Sequence, residues 1–140
     1  MEEDMTDNVA ILRSGYEAFA KGDIPTVLSL WDPKMEWSEP EHSMFWNGAP
    51  FRGHQDIVKG VFAHLAEHFD GFHIEISRMV PSGDTVVVEA RYRGKAKATG
   101  EPLDAETVHV WDFRGGKCVR FHGYTDTWQF AQVTGVAPKH

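Results

Sequence analysis

The sequence predicts an α+β domain in which a strongly curved antiparallel sheet folds over a long helix and leaves a conical hollow. Three observations lead there. The first half carries apolar residues at helical spacing, broken once by a short alternating segment. After Gly71 the period falls to two, and Gly, Pro and Asp turns divide the chain into hairpins. The helical stripes and one face of the strands are both apolar, so each needs the other as cover.

Thr6 or Asp7 is a suitable cap for a first helix to about Lys21, with Val9, Leu12, Tyr16 and Phe19 along one side. Gly22 stops it. Asp23 caps a second helix with Pro25 in its first turn, and Ile24, Val27, Leu28 and Trp31 form its stripe until Pro33 ends it. Met35 to Glu39 alternates as a strand, with Met35, Trp37 and Glu39 on one face and Glu36 and Ser38 on the other. Pro40 closes this strand. A loop from Glu41 to Gly53 is rich in large apolar residues (Met44, Phe45, Trp46, Phe51). A third helix from His54 to Phe69 buries Ile57, Val61, Phe62 and Leu65.

Strands follow at 72–80, 85–98, 104–113 and 118–125. In the second of these Val86, Val88, Ala90 and Tyr92 share a dry face, opposite Glu89, Arg91 and Arg93. Arg114-Gly115-Gly116-Lys117 is a tight hairpin turn. A last helix from about Thr127 to Val133 ends at Gly135.

No repeat or linker interrupts the 140 residues, so one domain is expected over 1–140, with residues 1–6 as a flexible tail. The net charge of −7 argues against nucleic acid and anionic membrane as partners. A single cysteine, Cys118, cannot form an internal disulfide, and the acidic start lacks the features of a signal peptide. A cytoplasmic location is expected.

Three stretches resemble the nuclear transport factor 2-like superfamily in its SnoaL-like and ketosteroid isomerase-like branch. They are Tyr16 to Ile24 (Tyr-Glu-Ala-Phe-Ala-Lys-Gly-Asp-Ile), Phe51-Arg52-Gly53-His54, and Gly116 to Phe121 leading on to Tyr124-Thr125-Asp126-Thr127. The resemblance implies a cystatin-like fold, a curved antiparallel sheet closed as a conical α+β barrel. It also implies a homodimer through the sheet, with Arg120, His122, Tyr124 and Asp126 on the contacting face. It does not decide function, because this fold hosts isomerases, cyclases, dehydratases and non-catalytic binders.

The resemblance places a proton-shuttling carboxylate before a proline at the end of the first strand, which here is Glu39. Strand parity agrees: a carboxylate beside Met35 and Trp37 loses solvation and gains a pKa suited to proton transfer. The position of the isomerases' protonated acid falls on His109, and Thr107, His109 and Trp111 share its face. A neutral imidazole there can donate a hydrogen bond to a carbonyl. The isomerase tyrosine would fall at Gly15. Tyr16 is one place on, about 100° around the helix, and reads as a cavity-lining aromatic. The Asp–Arg–Asp set of epoxide hydrolases would occupy Ala90, Tyr92 and Gly123, none of them acidic, which argues against that activity.

Glu39 and His109 are therefore the candidate catalytic residues. Tyr16, Trp37, His42, Phe45, Trp46, Tyr92, Thr107, Trp111 and Phe121 are the candidate substrate contacts, with His42, Phe45 and Trp46 as a water-excluding lid. His64 and His68, four apart with Glu67 and Asp70 nearby, have a spacing that can hold a metal. Solvent-facing residues more often look this way, so no metal and no cofactor is expected. The ligand is expected to be a small apolar organic molecule. Two classes of function fit: proton transfer on a neutral carbonyl compound, or a non-catalytic ligand-binding or dimeric assembly module.

Overall fold

The computed structural model describes residues 2–136, with side chains from Asn8 onward. Helix α1 spans Glu2–Ala20, so residues 2–6, expected as a tail, continue the helix. Met1 and the side chains of Thr6 and Asp7 lie outside the described ones. Helix α2, Ile24–Ser29, is capped by the Asp23 carboxylate, which accepts from the Thr26 amide at 3.2 Å.

Strand β1 runs Trp31–Ser38. Trp31 therefore opens a strand instead of closing the second helix, and it is buried there. Pro33 is tolerated because pairing with β6 shifts register between Trp31 and Glu36, an irregularity of the kind that accommodates proline. A two-residue strand β2, Phe51–Arg52, pairs with β1. Helix α3 (His54–Ile57), a π turn (Val58–Phe62) and helix α4 (Ala63–His68) follow without a break. The wider π turn coincides with Gly60, where an added Cβ would overlap Cδ1, Cε1 and Cζ of the Phe51 ring. The absent side chain lets that ring seat against the helix.

Strands β3 (Phe69–Ser82), β4 (Thr85–Ala96), β5 (Pro102–Arg114) and β6 (Lys117–Thr125) form the expected meander. Helix α5, Thr127–Thr134, is capped by Asp126 and stopped by Gly135 at φ 73°.

The sheet corrects the expectation of an antiparallel conical barrel. Its order is β2-β1-β6-β5-β4-β3, an open arrangement with β2 and β3 at the edges. It is mixed, because β1 runs parallel to β6. The sheet neither closes nor curls strongly. Closure needs two edge strands that can pair along a matched stagger, and a two-residue β2 gives β3 almost nothing to pair with.

The core lies between one face of this sheet and the helices. Leu12, Met35, Val86, Val88 and Phe121 are among its buried members, and Phe69, Leu103 and Phe130 belong to a second cluster near α5. The predicted parity holds: Met35 and Trp37 are buried, and so are Val86, Val88 and Ala90. The other face of β3, β4 and β5 carries an exposed ladder of ion pairs, Arg78–Glu89 at 2.6 Å, Arg91–Asp104 at 2.7 Å and Arg93–Glu75 at 2.7 Å. Such exposed pairs contribute little to stability but keep that face wet.

Candidate active site

The core does not pack solid. Between α1, the π turn and the sheet lies a hollow of about 80 Å³. That is smaller than the roughly 300–1,000 Å³ of drug-sized ligand sites. Its walls are mostly apolar, with Trp31, Trp37, Phe62, Trp111 and Phe121 among them. Glu39, Ser43, Tyr16, Tyr92, His109, Thr125 and Thr127 bring the polar groups.

Glu39 follows the last residue of β1. The residue as a whole is half-buried, but its carboxyl group is enclosed, and burial lifts its pKa from 4.5 to about 7. The indole N–H of Trp37 donates to its Oε2 at 2.6 Å and opposes the rise. Trp37 is itself fixed by stacking on Phe121 at 3.7 Å, its register partner on β6.

His109 sits in the middle of β5, 2 % exposed. Burial lowers its pKa to about 3, so it is neutral at physiological pH. Both ring nitrogens meet phenols: Nδ1 lies 2.6 Å from the Tyr16 hydroxyl and Nε2 lies 2.5 Å from that of Tyr92. Trp111 Nε1 donates to the Tyr16 hydroxyl at 3.0 Å. Burial raises the pKa of both tyrosines, and the nearby Glu39 charge raises that of Tyr92 further. Both phenols therefore stay protonated. Thr107, buried behind them, shares a 2.8 Å hydroxyl contact with Thr125.

The structure thus gathers Glu39, His109, Tyr16, Trp37, Phe45, Tyr92, Trp111 and Phe121 around one hollow. It does not place His42, Trp46 or Thr107 on the walls. His42 occupies an exposed turn at φ 67°, its ring 4.7 Å from that of Trp46. Of the expected lid only Phe45 reaches inward, buried against Phe130. Sequence reasoning missed Trp31, because it was assigned to a helix, and Thr125, which was grouped with the structural end of β6.

Among the described residues His64, Glu67 and His68 bring their ligand atoms within 4.8 Å of one another. They form the group that could hold a metal ion. It lies on the exposed side of α4, with His64 at 47 % side-chain exposure. No described helix is long and apolar enough to cross a membrane.

Comparison with known proteins agrees with this architecture. The family model of the SnoaL-like domain matches residues 12–121. A nuclear transport factor 2-like protein of unknown function from Burkholderia pseudomallei superposes with a TM-score of 0.84 at 27% identity, over 93% of this chain and 98% of that one. A second such protein, from Burkholderia thailandensis, gives 0.84 at 30% identity, over 90% and 95%. TerC, solved after co-crystallisation with polyporic acid, gives 0.82 at 27% identity, over 93% and 99%. No curated protein matches the chain.

Proposed function

Given that this chain belongs to the SnoaL-like family of nuclear transport factor 2-like proteins, we propose that it catalyses proton transfer on a small, neutral, apolar carbonyl compound. Isomerisation, aldol-type cyclisation and dehydration are the reaction types of this class. The observation that carries the reading is Glu39: an enclosed carboxyl with a pKa of about 7, facing a hollow lined by aromatic side chains. A group poised near neutral pH can both take and return a proton. Glu39 removes a hydrogen next to the carbonyl, and the hydroxyl–imidazole cluster opposite stabilises the charge that develops on its oxygen. Trp37 and Phe121 hold the carboxyl in place, and Trp31, Trp111 and Phe45 exclude water.

TerC, co-crystallised with polyporic acid, supports the view that a scaffold of this kind accommodates a small organic ligand. The size of the hollow, about 80 Å³, favours a small ligand. The same reading takes the outer face of the sheet as a homodimer contact. The exposed Tyr124, stacked on His122 at 4.3 Å, supports it, and sedimentation velocity on Tyr124→Lys tests it: the variant should sediment as a monomer.

The activity is tested by following exchange of α-hydrogens for deuterium by NMR across a panel of cyclic enones and β-diketones. Exchange above the buffer rate should fall by about 10²-fold or more in Glu39→Gln, with the fold retained. No protein-dependent exchange, or exchange unchanged in the variant, would overturn the proposal in favour of a non-catalytic binding module.

A further inference from the structure

We propose that Tyr92 is the donor that meets the ligand's oxygen in the hollow, with Tyr16 and His109 acting as positioning residues that leave its hydroxyl hydrogen free. The inference rests on the reading of the hollow as a carbonyl site and names its donor, which a simpler view would assign to His109.

Each hydrogen of the cluster has one place to go. An indole nitrogen only donates, so the Tyr16 oxygen accepts from Trp111. The hydrogen of Tyr16 then needs an acceptor, and the other partner of that hydroxyl is His109 Nδ1 at 2.6 Å. Nδ1 is therefore bare. The imidazole is neutral, so its one hydrogen sits on Nε2 and donates to the Tyr92 oxygen at 2.5 Å. Tyr92 accepts from the ring and keeps its own hydrogen to give elsewhere.

The opposite arrangement fails on Tyr16. With the hydrogen on Nδ1, the Tyr16 oxygen would take two N–H groups while its own buried O–H had nothing to donate to, and an unmade buried donor is costly. The direction Trp111 to Tyr16 to His109 to Tyr92 satisfies every member. Donors aligned this way polarise one another, so the Tyr92 hydroxyl is a stronger donor than it would be alone.

Position fits the role. In the β4–β5 ladder Tyr92 faces Ala105 and His109 faces Val88, so the Tyr92 ring leans diagonally past the Ala90–Thr107 rung to reach the imidazole. Its hydroxyl lies near the Thr107 and Thr125 hydroxyls and within the field of Glu39. The threonines can take its hydrogen while the hollow is empty. A ligand oxygen lodged between Tyr92 and Glu39 would take it instead, with the ligand's acidic hydrogens turned toward the carboxyl.

The test uses the full chain, with 4-nitrophenolate as an apolar oxyanion probe. NMR of the 15N-labelled histidine ring should show His109 with hydrogen on Nε2 and a bare Nδ1. Absorbance titration should show 4-nitrophenolate bound by the wild type and about tenfold or more weaker in Tyr92→Phe, and weaker also in Tyr16→Phe, where the hydrogen of His109 is no longer confined to Nε2. Hydrogen on Nδ1, no binding by the wild type, or equal binding by Tyr92→Phe would each overturn the assignment. The tautomer is read on the unaltered protein and so does not depend on any variant folding. If these results hold while the Glu39 carboxyl titrates near 4.5, the proton-transfer reading fails and the donor assignment stands.

Discussion

The indole N–H of Trp37 and the carboxyl of Glu39, two residues apart, are joined by a 2.6 Å hydrogen bond at the end of β1. The bond favours the charged carboxylate and holds it against a wall that disfavours charge. The pKa of Glu39 is the balance of the two effects, with burial ahead.

Removing the bond should therefore move the pKa upward. In Trp37→Phe the ring still fills much of the space but donates nothing, so Glu39 should titrate above about 7,. The infrared band of the protonated carboxyl, followed against pH, reads this directly. A downward shift would mean that water has entered and that the wall is not dry.

The two buried titratable groups of the hollow pull stability in opposite directions. Glu39 has a raised folded pKa, so its contribution is present below 4.5 and is lost as pH rises toward 7,. His109 has a lowered one, so its contribution is present above 6.5 and is lost as pH falls toward 3,. Between 4.5 and 6.5 the slopes oppose each other, and the wild type should be nearly flat with pH. Glu39→Gln should uncover the histidine slope, about 1.4 kcal/mol per pH unit rising with pH. Urea denaturation of both proteins at several pH values checks it; parallel profiles would contradict the burial of Glu39.

Gly60 should not tolerate a methyl group. Alanine is the better helix former by about 1 kcal/mol, yet its Cβ would overlap the buried Phe51 ring. Gly60→Ala should therefore destabilise by about 1–3 kcal/mol. Pairing it with Phe51→Leu should recover part of the loss, which a thermal-denaturation double-mutant cycle would show as coupling.

Much of this site could be read from alternation. The parity of Met35, Trp37 and Glu39 placed the carboxyl on the dry side, and that of Thr107, His109 and Trp111 did the same for the imidazole. What alternation could not reveal is reach across the fold. Tyr16 and His109 are 93 residues apart, and no local period announces that a helix phenol will meet a strand imidazole. The direction of β1 was hidden for a similar reason: its partner β6 lies at the far end of the chain, and hairpin turns fix orientation only between neighbours. The barrel expectation failed at β2, where two residues within an irregular loop leave no periodic signal and too short an edge to close on. His42 and Trp46 were expected at the mouth of the site because they follow Glu39 and Pro40 in a loop rich in large apolar residues, a signal that does not fix where a loop side chain points.

The proposed activity requires Glu39 to be an enclosed acid poised near neutrality in a water-poor hollow. Its most direct test is a 13C NMR titration of the glutamate side-chain carboxyls, with Glu39 assigned by its absence in Glu39→Gln. A midpoint of about 7 is the predicted result, and a midpoint near 4.5, the value of a solvated glutamate, would contradict it.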